Sequence, residues 1–217
     1  MLNVFIKYFL LFIIYSFIGW TMEMIVTAIE NKKIVDRGFL IGPYCPIYGW
    51  GGVLMTIFLT RFQNNIIVLF LMAIVICGML EYITSYIMEK IFKARWWDYS
   101  NKKINLHGRI CVDTLIPFGI LGTFIICVAN PFFMDMINNI PNTLLIVITI
   151  LLFIIFVIDT VVSITITFNL RGTIKRIALD NTEEITEKVK EVIRERSVVY
   201  NRLIKAFPNW KVKISKK

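Results

Sequence analysis

The sequence predicts an all-α polytopic membrane protein with about five transmembrane helices and a cytoplasmic C-terminal amphipathic helix. Mean hydropathy is +0.71, with 57% hydrophobic residues against only 18% charged. Soluble domains hold about a quarter charged residues. Five apolar stretches are long enough to cross a hydrocarbon core of about 30 Å, which takes roughly 20 helical residues. Finally, Lys and Arg alternate between sparse and dense connections. Disorder and a disulfide-rich secreted scaffold are excluded, since 11 Gly and 6 Pro punctuate 17 Phe, 8 Tyr and 5 Trp. No room remains for a large catalytic ectodomain.

The stretches run over residues 4–29, 44–60, 66–88, 110–129 and 144–168. The first could pass for a secretory signal, but it lacks a small-residue cleavage site and continues through Glu23 to Glu30, so it is read as a retained span. The second begins among Gly42, Pro43, Pro46, Gly49, Gly51 and Gly52, and its first turns are expected to be re-entrant or broken inside protein. Lys7 precedes span one, Lys32, Lys33 and Arg37 follow it, and Arg61 alone follows span two. Lys90, Lys93, Arg95, Lys102, Lys103 and Arg109 follow span three, and the connection over 130–143 has no basic residue. Thirteen of the 24 basic residues lie after Leu170. Because basic loops stay cytoplasmic, the N-terminus is expected outside and the tail in the cytoplasm. The net charge of +9 then follows from topology, with anionic headgroups rather than nucleic acid as its partner.

Composition divides the chain into a transmembrane bundle (1–170) and a basic helical tail (171–217). Asn181 with Glu184 forms a capping-box pattern that opens a helix over 182–206. Ile185, Val189, Val192, Arg196, Val199 and Leu203 make a heptad seam along it, either a packing face or a homo-oligomer contact. Trp210 and the lysines after it resemble an interfacial anchor. The four cysteines form no C-x-x-C pair and are read as buried small hydrophobes. Gly19 before Glu23 and Gly78 before Glu81, each followed by a basic loop, suggest a faint parallel repeat of a two-helix unit.

Four acids lie within the spans: Glu23, Glu81, Asp113 and Asp159. Such groups are expensive in hydrocarbon and should face the bundle interior. At about 1.5 Å per residue they sit roughly 10, 13, 6 and 16 Å from the cytoplasmic end of their spans. Ser16, Trp20, Glu23, Thr27 and Glu30 share one face of the first span; Glu81, Ser85 and Glu89 share one of the third; Asp159, Ser163 and Thr167 share one of the fifth. Arg37, Arg109 and His107 are the nearest counter-charges, so a polar constellation of Glu23, Glu81 and Asp113 with Arg37 and Arg109 is expected, with Asp159 its outlying member. Two readings stay open: packing acids paired with Arg37 and Arg109, or a site facing the cytoplasm. No catalytic residue, metal set or cofactor is expected, because phosphate-loop, H-E-x-x-H and G-x-S-x-G motifs are absent from the 217 residues. Trp96, Trp97, Asp98, Tyr99 and Ser100 read as an interfacial aromatic belt with a turn.

Tyr15-Ser-Phe-Ile-Gly-Trp20 with Glu23, Arg37-Gly-Phe-Leu-Ile-Gly-Pro-Tyr-Cys-Pro-Ile-Tyr-Gly49, Trp97-Asp-Tyr-Ser100 and Gly108-Arg-Ile-Cys111 together resemble the ABC-transporter type IV permease family of bacterial membrane proteins, over roughly residues 8–130. The resemblance implies a transport permease that borrows its ATPase from a separate subunit. The alternatives are a membrane-embedded enzyme using Glu23 or Glu81 as a general base, and a sensor or interaction protein recruiting partners through its tail.

Overall fold

A computed structural model describes residues 2–32, 36, 38–92, 94–178 and 211–212. The elements are α1 (Leu2–Asn31), α2 (Pro46–Leu59) with a 3-10 turn (Thr60–Phe62), α3 (Ile66–Phe92), β1 (Ala94–Arg95), β2 (Asn105–Leu106), β3 (Ile110–Cys111), α4 (Val112–Phe124), a π-helical segment (Ile125–Ala129), α5 (Asn130–Asn138), α6 (Asn142–Ala178) and β4 (Lys211–Val212). The protein is an all-α polytopic membrane fold. Among the described residues, four helical stretches are long and apolar enough to cross a bilayer: Leu2–Ile29, Ile66–Phe92, Val112–Asn138 and Asn142–Phe168. The expected tail helix with its heptad seam, and Arg37, lie outside the described residues.

The second stretch departs from its expected form. Its helix has 14 residues, about 21 Å at the helical rise, which is short of about 30 Å. The break lies before the helix rather than in its first turns. Pro46 starts α2 at the position where a missing N–H costs nothing, and Cys45 before it is extended. Upstream, residues 38–45 run without regular structure into the bundle, where the Cys45 amide donates to the Ser16 carbonyl (2.9 Å) halfway along α1. The second pass is thus shared between an irregular lead-in and a short helix. Gly49 and Gly52 are packing positions: a Cβ on Gly49 would lie 2.6 Å from the Phe12 carbonyl oxygen, and Gly52 lies against the Tyr15 ring. Small residues allow such close approach between membrane helices.

The fourth span is longer than expected. Residues 130–138 are helical instead of belonging to the connection, which shrinks to 139–141. Pro131 cannot donate to the helical ladder and would crowd the carbonyl four residues earlier; the π-helical turn just before it absorbs that conflict. Asn130, buried here, lies 3.3 Å from the Thr56 hydroxyl of α2. Helix α6 continues past Arg171, where composition changes, to Ala178.

Contacts define the two ends of the bundle. Lys7 Nζ donates to Asn138 Oδ1 (2.6 Å), bringing the start of α1 to the end of α5. At the other end Phe92 meets the rings of Phe39, Trp96 and Phe168 in tilted and edge-on contacts, and Phe39 meets Trp96 edge-on, tying the lead-in, α3, its following loop and α6 together. There β4 pairs antiparallel with β1, Arg95 opposite Lys211, so the described part of the tail returns to the loop after α3. The apolar core gathers Leu11 and Tyr15 of α1, Met55 and Leu59 of α2, Leu69 and Ala73 of α3, and Ile126 and Ile137 of the fourth span.

Candidate polar site in the bundle

Glu23 and Glu81 come together. Tyr48, in the first turn of α2, donates its hydroxyl to Glu23 Oε1 (2.5 Å), and its ring packs where Gly19 leaves room on α1. Tyr99, in the loop after α3, donates to Glu81 Oε1 (3.3 Å). The two tyrosine–carboxylate pairs are near enough for the acids to interact electrostatically. Burial first, and then the Glu81 charge, push the Tyr99 hydroxyl's pKa upward, which keeps it a donor. Glu81 is only 6% exposed. The Thr114 hydroxyl lies within hydrogen-bond reach of the Glu81 carboxyl and also donates to the Cys111 carbonyl (2.9 Å), so one hydroxyl is shared between the two acceptors.

The loop after α3 places Tyr99 through local geometry. His107 and Gly108 both have positive φ (54° and 65°), and the Arg109 amide donates to the Leu106 carbonyl (3.0 Å), as in a type I′ hairpin turn. Asp98 Oδ1 accepts from the Ser100 amide (3.1 Å) and hydroxyl (2.5 Å), and the Tyr99 amide donates to the Gly108 carbonyl (2.8 Å). Trp97 Nε1 donates to the Arg109 carbonyl (3.1 Å), and Trp96 is buried against Phe39 and Phe92. These aromatic residues therefore pack onto the protein, with Trp96 buried and Trp97 and Tyr99 half-buried.

Arg109 does not meet Glu81, contrary to the expected pairing. The hairpin holds it lower on α3, where it bonds Glu89 Oε2 (2.9 Å) and Ser85 Oγ (3.3 Å) and lies over the Tyr82 and Tyr86 rings. Arg95 shares the same Glu89 oxygen (3.1 Å) and also reaches Asp98. The physical reason is spacing: Glu89 lies on the same face as Glu81, two turns nearer the helix end where the hairpin docks. Asp113 also stays outside the cluster. Its side chain is 65% exposed in the first turn of α4, paired with Lys102 (2.9 Å), and this carboxylate holds the Lys102 ammonium pKa up.

Asp159 has a separate task. Its Oδ1 accepts from the Ile41 amide (3.0 Å), its Oδ2 from the Gly42 amide (2.7 Å), and the Tyr44 hydroxyl is a third donor. Ser163, one turn on, donates to the same carboxylate (3.0 Å) and accepts from Ile41 (3.2 Å). Non-helical backbone at membrane depth must have its polar groups satisfied by protein. Asp159 supplies that satisfaction. On α1, Trp20 Nε1 donates to Asp36 Oδ1 (2.8 Å), two residues before the lead-in.

Tyr48, Tyr99 and Glu89 are the residues that sequence reasoning missed as partners. Both tyrosines lie in the motifs that carry the family resemblance, and that was the available signal. The helices and the enclosed polar groups define a multi-pass α-helical membrane protein. The chain belongs to the family described as "Putative ABC-transporter type IV", which matches residues 10–164 and so takes in Asp159 and Ser163 on α6, beyond the extent of the motifs. No curated protein and no solved structure matches the chain.

Proposed function

We propose that the protein is the membrane-embedded subunit of an ABC-type transport system and that the Glu23, Tyr48, Glu81 and Tyr99 cluster faces its substrate. The observation that carries this reading is the convergence of two acids from different spans inside a chain of this family. In this reading Arg109 with Glu89, Asp113 with Lys102, and Asp159 are scaffold groups around the site, and the ATPase is a separate chain. Mild-detergent purification from the native host is the test: an ATPase in stoichiometric amount supports the reading, and its absence from a complex that still transports overturns it.

The same reading sets the protein in the bacterial cytoplasmic membrane with the N-terminus outside and the tail inside. The charge alternation supports this, together with the grouping of Lys7 with Asn138 at one end and of the basic hairpin at the other. In a background freed of native cysteines, Asp135→Cys is expected to react with an impermeant thiol reagent from outside and Lys102→Cys only after the cytoplasmic face is opened. Both side chains are exposed. The reverse pattern would invert the topology.

A further inference from the structure

We infer that the hairpin over 104–112 docks onto the headgroup layer of the membrane and selects anionic lipid there. Its register sets Leu106 opposite Ile110 and Asn105 opposite Cys111, and the Val112 amide donates to the Ile104 carbonyl (3.2 Å), which continues the pairing to Ile104 and Val112. Side chains directly across an antiparallel pair share a face, and alternate residues return to it. One face therefore carries Ile104, Leu106, Ile110 and Val112, while Cys111 on the other is buried. Ile104 is 69% and Leu106 51% exposed. An apolar face left open on a hydrogen-bonded element marks a contact surface. The place of the hairpin says what it contacts. His107 Nδ1 lies 2.9 Å from the Tyr82 hydroxyl, and Tyr82 stands ten residues, about 15 Å, before the end of α3 at Phe92. Helix α3 has 27 residues, about 40 Å, which exceeds a hydrocarbon core by only about 10 Å. The turn is thus folded back to the level where headgroups meet acyl chains, within reach of lipid rather than of a soluble protein. Gly108 and Arg109 at the turn are buried in protein, and open strand edges are tolerated in the hydrated headgroup layer but not in hydrocarbon, which limits how deep the face goes. Charge selects the lipid. Arg95 and Arg109 are matched by Glu89 and Asp98, and Lys102 by Asp113, so the exposed Lys90 and Lys103 leave this surface net positive among the described residues. An apolar face flanked by cations suits anionic headgroups. The contact is independent of what the bundle transports.

The test uses the full chain, freed of native cysteines, in nanodiscs of phosphatidylglycerol and phosphatidylcholine. Ile104→Cys, Leu106→Cys and, as an exposed polar control, Asn101→Cys each carry a bimane label. Quenching is read with a nitroxide on the lipid acyl chain near the headgroup and with acrylamide in the water. The lipid nitroxide should quench the labels at 104 and 106 at least about threefold more than the label at 101, with the order reversed for acrylamide. At one fixed lipid composition, a nitroxide carried on phosphatidylglycerol should quench at 104 and 106 more than the same nitroxide on phosphatidylcholine, and Lys90→Gln with Lys103→Gln should remove that excess. All of these side chains are exposed, so no substitution opens a cavity in the core. Acrylamide quenching at 104 and 106 equal to that at 101 would leave the face to water or a soluble partner and overturn the inference. Shielding from both quenchers would mean that protein, either the tail or a second copy, covers the face, and would overturn it equally. Equal quenching by the two nitroxide lipids would overturn the selection of anionic lipid.

Discussion

Asp159→Ala is expected to destabilise the protein by about 2–4 kcal/mol, because it strips the acceptor from two consecutive backbone amides. Those amides, of Ile41 and Gly42, belong to the irregular lead-in to α2 and cannot recover their bonds from a helix or strand ladder. Ser163 still accepts from Ile41, so the loss falls mainly on Gly42 and on the Tyr44 hydroxyl. Asp159→Asn keeps one carbonyl oxygen and should lie between the wild type and Ala. Reversible unfolding in mixed micelles reads the difference, and limited proteolysis should show cleavage near 38–45 appearing first in the Ala variant. Wild-type stability and protection in Asp159→Ala would mean that the lead-in is held by other contacts.

Gly49→Ala should be at least as damaging, about 3 kcal/mol or more, although it adds a single methyl group. That methyl would meet the Phe12 carbonyl oxygen at 2.6 Å, with the Phe12 ring equally close. A side chain could rotate away, but the α1 backbone cannot move without separating the two helices. Gly51, two residues on, supplies the control. There an added Cβ meets only Leu80 Cδ2 at 3.7 Å, an ordinary contact, and Ala is a better helix former than Gly by up to about 1 kcal/mol. Gly51→Ala is therefore expected to be neutral or mildly stabilising. Equal unfolding midpoints for the two variants would show that α1 and α2 do not pack through Gly49.

The membrane class, the all-α fold and four of the five approximate spans were legible in the sequence, because each depends on hydrophobicity summed over about 20 neighbouring residues. The motifs around Trp20, Tyr48, Tyr99 and Arg109 likewise pointed to the family that matches residues 10–164. Partner choice was not legible. Glu81, Ser85 and Glu89 present the same helical face, and only the hairpin turn at His107 and Gly108 decides that Arg109 meets Glu89 and leaves Glu81 to Tyr99. Asp159 and Ile41 are 118 positions apart, and nothing local to either announces a carboxylate capping irregular backbone. Asp113 has the composition of a buried intramembrane acid but starts a helix at an exposed end, where Lys102 and water can reach it. Depth in the membrane is a local property of the chain, whereas the rotation of each helix and the path of each loop arise only when the spans pack. The tertiary structure therefore decided which charges pair, where the second pass loses its helix, and which tyrosine each buried acid meets.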